Sequence, residues 1–160
     1  MKDRTLVIGI GNRSRGDDGA GIEAARRLQS VGSTHYDISA TDGEPTKLMD
    51  LWEGYRDVIA IDAVVTGLAP VGTIYCWDVS SHPLPTDSQV SSSHALGLSE
   101  AIELARVLEK LPAKIRVIGI EAEQYDYVTT LSSPVESAVE KIVKTLSKET
   151  GDFPCTNFHL

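Results

Sequence analysis

The amino-terminal segment joins an apolar strand pattern to a glycine-rich turn and then to a helical pattern. Residues 5–12 read as a buried strand that ends in a glycine turn, and residues 19–25 open a helix. Such a junction normally receives a pyrophosphate at the helix N-terminus. Here the third glycine position is Ser14, and Asp17 and Asp18 put two negative charges at the helix entrance. The junction therefore predicts an α/β unit whose turn suits a cation or a partner's donors and binds no nucleotide.

Apolar runs and helical patterns alternate along the rest of the chain, which predicts a mostly parallel sheet. Further strands are predicted at 36–40, 57–63, 73–78 (near an edge) and 115–120. Helices are predicted from Gly19 to Gly32, from Pro45 onwards with Leu48, Leu51 and Trp52, and from Pro134 to Leu146. Between them, an apolar stripe at helical spacing predicts a further helix: Ala101, Leu104, Ala105, Leu108 and Leu111. The Ser- and Pro-rich segment 79–93 is too long for a routine connection and is predicted to be either a functional loop or a disordered one. We expect a single-domain α/β sandwich over 1–150, with a twisted five-stranded sheet flanked by helices in a phosphorylase/hydrolase-like arrangement, and a tail over 151–160.

Charge and composition exclude several classes of partner. The chain of 160 residues has a net charge of −8, and no basic stripe suits a nucleic acid. Its densest basic cluster, Arg13, Arg15, Arg26 and Arg27, is typical of a solvated helix face. No apolar run reaches 18 residues and no signal-type block begins the chain, so neither a membrane span nor export is expected. With two cysteines, a disulfide framework is not expected, and a cytoplasmic location fits.

Three polar side chains occur where parallel strands should end, which is where open α/β sheets bind ligands. Asp18 follows the first strand, Asp62 ends an apolar run, and His94 closes the long loop. Two carboxylates and an imidazole suit a divalent metal of borderline hardness. Each residue alone also has a structural explanation: a helix N-terminal charge, a strand-end cap and an ordinary histidine. The turn at Asp42 and Gly43 either presents backbone to the same crevice or is a plain turn.

Other candidates for catalysis carry weaker signals. Serines 91–93 stand beside His94, but no GxSxG elbow surrounds them. Cys76 lies in an apolar strand and is interpreted as a core residue, whereas Cys155 and His159 in the tail are left unassigned. Neither a Ser-His-Asp nor a Cys-His arrangement is evident, so covalent nucleophilic catalysis is not expected.

Taken together, the motifs closely resemble those of the hydrogenase maturation endopeptidases. They occur in the family's order, at residues 9–12 with 15–21, 61–63 with 67 and 72–73, 93–98, 117–121 and 131–135. One difference is that many members have Glu where this chain has Asp18. A second is that the Asp42-Gly43 start of the turn is not followed by the family's usual Gly-Thr.

The resemblance implies a twisted sheet flanked by helices and a specific hydrolase activity. The family removes a C-terminal extension from the precursor of a [NiFe] hydrogenase large subunit after nickel insertion. Nickel, supplied by that precursor, would contact Asp18, Asp62 and His94, making the enzyme a nickel-dependent endopeptidase of aspartyl type. The substrate tail would lie at Asp42 and Gly43. The remaining motif residues, Gly11, Asn12 and Asp17, are interpreted as structural residues of the first loop.

Two other functions are compatible with parts of the pattern. A nickel-dependent chaperone would bind the precursor without cutting it, and the motifs do not separate binding from cleavage. A nucleotide-binding α/β module is the other alternative, and Ser14 with the Asp17–Asp18 pair counts against it.

Overall fold

A computed structural model describes residues 2–85, 95–123, 130–148 and 153. Its strands are β1 (Thr5–Ile10), β2 (Tyr36–Thr41), β3 (Asp57–Val64), β4 (Ile74–Asp78) and β5 (Lys114–Glu121). Its helices are α1 (Ala20–Val31), α2 (Pro45–Trp52), α3 (Ala95–Val107) and α4 (Ser133–Leu146), and a 3-10 turn (Gly16–Gly19) precedes α1. None of the helices in these ranges is long and apolar enough to cross a membrane. The elements alternate in the order predicted from the sequence.

The five strands form one sheet in the order β2-β1-β3-β5-β4. All neighbouring strands are parallel except β4, which pairs antiparallel with β5 at the edge. The predicted single-domain α/β fold with a mostly parallel five-stranded sheet is confirmed, and so is the edge position of the fourth strand. The predicted boundary at residue 150 stays a prediction, since most of the tail lies outside the described residues.

Two apolar cores, one on each face of the sheet, hold the helices in place. Leu6, Ile8 and Ile10 of β1 contribute to the core under α2 and α3, whereas Val7 contributes to the core under α1 and α4. The central strand β3 is buried on both faces, which explains its continuous apolar run. Because parallel strands end at the same side, this packing leaves a single carboxyl edge where their loops meet.

Helix α1 approaches the sheet so closely that glycine is required. A Cβ atom at Gly21 would overlap the carbonyl oxygen of Ile61 and would lie 2.5 Å from that of Ile10. A Cβ atom at Gly9 would overlap the Gly21 carbonyl oxygen and would lie 2.7 Å from Cβ of Ala25. Paired glycines on strand and helix therefore set the distance between α1 and the strands β1 and β3.

The predicted apolar stripe of the third helix is wrong in part. Leu104 is 46% exposed and Leu108 is 50% exposed, and α3 ends at Val107. The buried stripe is instead Leu98, Ala101, Ile102 and Ala105. These residues follow the i, i+3, i+4, i+7 spacing of a helix that begins earlier than the predicted stripe did.

Cys76 corrects the expectation about disulfides. The residue is 3% exposed, which agrees with its interpretation as a core side chain, but it is disulfide-bonded. The sequence has one other cysteine, Cys155, which lies outside the described residues. The sequence-based expectation concerned only a framework of several disulfides, which two cysteines cannot form. It did not cover a single disulfide, which needs only two cysteines.

The glycine contact predicts a strong effect of one added methyl group. Gly21→Ala should destabilise the protein by about 3 kcal/mol, because the new Cβ would meet backbone carbonyls that cannot rotate away. Urea unfolding followed by circular dichroism measures this change. Ser30→Ala on the exposed side of the same helix is the control, with an expected change within about 0.5 kcal/mol. Equal stability of Gly21→Ala and wild type would contradict the close approach.

Candidate functional site at the carboxyl edge of the sheet

Asp62 lies in the central strand at the carboxyl edge of the sheet. The strand was predicted to end at this region, but β3 continues to Val64, pairing Asp62 with Gly119 of β5. On its other side, Gly9 pairs with Ile61, so β1 ends one residue later, at the level of Asp62. Side-chain alternation puts Asp62 on the α2–α3 face, and the residue is 1% exposed. The strand was predicted to end at residue 63, one residue too early. It is longer because β3 extends beyond the end of β1 while it stays paired with β5.

Asp18 lies in the 3-10 turn that connects β1 to α1, and the turn packs against β3. Its backbone carbonyl accepts a hydrogen bond from the Asn12 N–H at 3.0 Å, and its own N–H donates to the Arg15 carbonyl at 3.2 Å. A Cβ atom at Gly11 would overlap the Asp18 carbonyl oxygen, so glycine closes this loop. Asp18 is fully buried. Two buried acids, from the turn and from β3, therefore lie at the same end of the sheet.

Asp17 contacts a different part of the molecule from its neighbour. Its carboxylate accepts hydrogen bonds from the backbone N–H and the hydroxyl of Ser132, at 2.7 and 2.9 Å. Ser132 is the N-cap residue of α4, where a negative charge interacts favourably with the helix dipole. Asp17 thus joins the turn before α1 to the start of α4. Its contacts are structural, although its role in activity stays a prediction.

His94 lies outside the described residues, so the third predicted metal ligand is not located. Within residues 2–85, 95–123 and 130–148, no group of three His, Cys, Asp or Glu side chains could hold a metal ion. Helix α3 begins at Ala95, directly after His94. A Cβ atom at Gly97 would overlap the carbonyl oxygen of Gly43, so the first turn of α3 touches the predicted substrate-binding turn. The metal set of Asp18, Asp62 and His94 stays a prediction.

The turn at Asp42 and Gly43 follows β2 and is held by its own charges. The Asp42 carboxylate accepts hydrogen bonds from Lys47 Nζ at 3.1 Å and from the Glu44 N–H at 3.2 Å. The bond from Lys47, followed by that from Glu44, lowers the pKa of Asp42 below its ordinary value. The Glu44 carboxylate caps α2 by accepting from the N–H groups of Thr46 and Lys47. Gly43 has φ +90°, a conformation that favours glycine.

Glu121 is a buried acid of the same edge to which the sequence analysis assigned no role. It is 1% exposed and pairs with Val64, two residues beyond Asp62 on the same face of the sheet. Its carboxylate accepts hydrogen bonds from the Thr66 N–H at 2.8 Å, from the Thr66 hydroxyl, and from the Tyr75 hydroxyl at 2.9 Å. Glu121 thereby ties the loop after β3 to β5. An acid at the end of an apolar run, the signal that singled out Asp62, would also have found it.

Ion pairs organise the arginines near the turn. Glu23 binds Arg26 at 2.6 Å and Arg27 at 2.9 Å, and Arg27 also binds Glu136 of α4 at 2.7 Å. The hydrogen bond from Arg26, supported by Arg27, outweighs burial and lowers the pKa of Glu23 from 4.5 to about 2. The predicted solvated helix face is therefore also a bridge between α1 and α4.

Comparison with known proteins identifies the family. The family model described as hydrogenase maturation protease matches residues 33–149, which include Asp62 and exclude Asp18. The chain belongs to the hydrogenase maturation protease family. The resemblance recognised in the sequence motifs is thus confirmed, and membership in a protease family indicates a hydrolase.

Individual relatives of this maturation protease are similar along most of its length. A hydrogenase expression/formation protein, HupD of Rhizobium leguminosarum bv. viciae, is 26% identical over 145 residues, covering 89% of this chain and 71% of the relative. The hydrogenase 2 maturation protease of Escherichia coli (strain K12) is 25% identical over 154 residues, covering 92% and 93%. The solved structure of the [NiFe] hydrogenase maturation protease HybD from Thermococcus kodakarensis has a TM-score of 0.73 at 27% identity, covering 91% of this chain and 99% of that chain.

The contact between Asp17 and Ser132 predicts energetic coupling across the two elements. In a double-mutant cycle of Asp17→Ala and Ser132→Ala, the coupling free energy should be about 1.5 kcal/mol, as for a part-buried hydrogen bond from the Ser132 hydroxyl to a charged group. Urea unfolding of the four proteins measures it. Additive effects, with a coupling below about 0.5 kcal/mol, would show that the two side chains do not interact.

The depressed pKa of Glu23 predicts a defined loss of stability in acid. The carboxylate binds its proton more weakly in the folded protein than in the unfolded chain, so its stabilisation is complete above pH 4.5 and is lost as the pH falls towards 2. The stability difference between wild type and Glu23→Gln should therefore shrink over this range in urea titrations. Glu140→Gln removes an equal charge from the exposed surface of α4 and is the matched control. A difference for Glu23→Gln that does not change with pH would contradict the assignment.

Proposed function

We propose that this protein is an endopeptidase that removes the C-terminal extension of a [NiFe] hydrogenase large-subunit precursor after nickel insertion. The observation that carries the proposal is the pair of buried carboxylates, Asp18 and Asp62, at the carboxyl edge of a maturation protease fold. Buried acids are costly unless they are paired, hydrogen-bonded or bound to metal. Open α/β sheets bind their ligands at this edge, so the proposal places the peptide in the crevice between the loops.

Nickel enters this reaction as part of the substrate. Asp18 and Asp62 provide carboxylate oxygens, and His94 provides an imidazole nitrogen, a mixed oxygen and nitrogen set that suits a divalent metal of borderline hardness. Binding a metal already held by the precursor seats the peptide segment next to these residues. A bound divalent metal supplies both positioning and Lewis-acid chemistry. Cleavage adds water across the peptide bond, leaving a carboxylate on the mature subunit and an amine on the released extension.

Neighbouring elements anchor the loops that adjoin Asp18 and Asp62. Asp17 anchors the turn of Asp18 to α4, and Glu121 anchors the loop that follows Asp62 to β5. The turn at Asp42 and Gly43 touches the first turn of α3 and so borders the same crevice, where we propose that it contacts the substrate tail. Preorganisation of this kind lets binding energy position the scissile bond.

The experiment is a mass measurement of the nickel-loaded precursor before and after incubation with the protein. Wild type should shorten the precursor, and nickel-free precursor should stay intact. Asp62→Asn, Asp18→Asn and His94→Ala should each lower the cleavage rate by at least about 100-fold, because each removes one ligand of a three-residue set. Asp18→Glu should retain activity, since it preserves the carboxylate.

Matched controls separate this function from its alternatives. Asp50→Asn makes the same chemical change on the exposed surface of α2 and should leave the rate unchanged. Binding of nickel-loaded precursor with no change in its mass would show a non-cleaving chaperone and would overturn the proposal. Undiminished cleavage by Asp62→Asn and His94→Ala would overturn the assignment of the nickel contacts.

A further inference from the structure

Strand β2 has an outer edge that no described strand covers. It is the terminal strand of the sheet, with β1 on one side only. The Gly11 N–H donates to the Thr41 carbonyl at 3.1 Å, so Thr41 directs its backbone groups towards β1. Because backbone groups alternate along a strand, Ile38 and Ala40 direct theirs outward. This edge therefore presents donors and acceptors that a further strand can pair with.

A groove runs beside this edge, between α1 and β2. Its volume is about 230 Å³, and its lining combines Ile22 and Arg26 of α1 with Ile38 and Ala40 of β2 and with Arg13 from the loop after β1. These side chains are exposed or half-buried. The side chains of Tyr36 and Ile38 belong to the α1 face of the sheet. Alternate side chains of a strand added to β2 would therefore enter the groove.

The groove continues towards the acidic turn of the proposed active site. An adjoining depression of about 430 Å³ also contains Arg13 and Arg26, and it is bounded by Gly16 and Gly19, the two ends of the turn that carries Asp18. Strand β2 itself leads into Asp42 and Gly43. The groove therefore adjoins the turn that carries Asp18, and the strand beside it ends at the turn of Asp42 and Gly43.

The lining of the groove and of the adjoining depression carries a small excess of positive charge, whereas the protein as a whole is acidic. Arg13 is exposed, and Arg26 binds Glu23 through Nε and Nη2, which leaves Nη1 for another acceptor. Glu23 is shared between Arg26 and Arg27, and Arg27 also pairs with Glu136, so three arginines meet two carboxylates and Arg13 carries the excess positive charge. With a net charge of −8 for the whole chain, this rim favours a ligand that carries carboxylates.

We infer that the outer edge of β2 binds the precursor's C-terminal extension as an additional β-strand, with carboxylates of that segment at Arg13 and Arg26. The inference rests on the proposed function and identifies how its substrate is held. Only an extended peptide satisfies the outward backbone groups of Ile38 and Ala40 while its side chains enter the groove. A strand added outside β2 lies three strand spacings from β3, about 14 Å, which four or five extended residues span across the ends of β2 and β1.

Binding measurements test the edge with the protein intact. The probe is a synthetic peptide of the extension from the precursor that wild type shortens, observed by fluorescence polarisation. Methylation of single backbone nitrogens should weaken binding about tenfold at every second residue and leave the others unchanged, as pairing to one strand requires. Equal binding by all the methylated peptides would overturn the inference. Two further peptides identify which carboxylate of the extension binds the arginines. Weaker binding after C-terminal amidation would assign the terminal carboxylate, and weaker binding after replacement of an Asp or Glu would assign that side chain.

Protein variants test the same surface from the other side. Arg13→Glu should weaken peptide binding at least tenfold and reduce its dependence on salt, whereas Lys144→Glu makes the same charge change on α4 and should alter it less than twofold. Ala40→Pro removes one outward N–H and should weaken binding about tenfold, with thermal unfolding monitored to confirm folding. Equal binding by Arg13→Glu and Lys144→Glu would overturn the inference.

Cleavage kinetics distinguish failure of this inference from failure of the proposed function. With nickel-loaded precursor, Arg13→Glu and Ala40→Pro should raise KM about tenfold and change kcat less than twofold, whereas Asp62→Asn lowers kcat. Cleavage by wild type with unchanged KM in both edge variants would overturn only the inference. No cleavage by wild type would overturn the proposed function. Sedimentation as a dimer that Ala40→Pro dissociates would assign the edge to a second copy of the chain and would also overturn the inference.

Discussion

The close contact between Gly21 of α1 and the backbone of β1 and β3 is the constraint on which the site depends. With no side chain at Gly21, the helix lies against the carbonyls of Ile10 and Ile61. Ile61 directly precedes Asp62, and the turn of Asp18 directly precedes α1. The same contact that packs the helix therefore holds two acids, 44 positions apart in the sequence, at one end of the sheet.

Acidic residues at this edge divide into anchors and candidate ligands. Asp17 and Glu121 accept hydrogen bonds from loop residues, Ser132 and Thr66, and so connect the loops to the sheet. Asp18 and Asp62 are at least as deeply buried and adjoin these anchored loops. Anchoring a loop through a buried, hydrogen-bonded carboxylate restricts its movement more than apolar packing alone, because breaking the contact would leave a charge uncompensated. The anchors thus limit how far the candidate ligands can shift.

Local signals predicted most of the fold but not the relations between its elements. The α/β sheet and its edge strand were predictable because their signals depend on neighbouring residues only. These signals are the apolar strand runs, the glycine turns, and Pro45 and Pro134 at helix starts. The burial of Leu98 instead of Leu104 depends on where α3 begins, and the extension of β3 beyond Asp62 depends on pairing with β5. The contact between Asp17 and Ser132 joins residues 115 positions apart, which no local pattern encodes. Motif resemblance brought Asp18, Asp62 and His94 together before any geometry did.

A peptide bond in a large folded precursor reaches buried acids only if the chain around it is extended. The carboxyl edge provides the acids, but a flexible tail loses conformational entropy when it is ordered there. Pairing with an existing strand offsets that loss through backbone hydrogen bonds that do not depend on the tail's sequence, and arginines at the groove add selectivity for carboxylates. Strand β2 leads into the turn that borders the crevice. One element therefore both orders the tail and directs it towards the acids. Under the proposed function, the edge of β2 that no described strand covers serves substrate binding, and its position follows from the same strand order that makes β3 central.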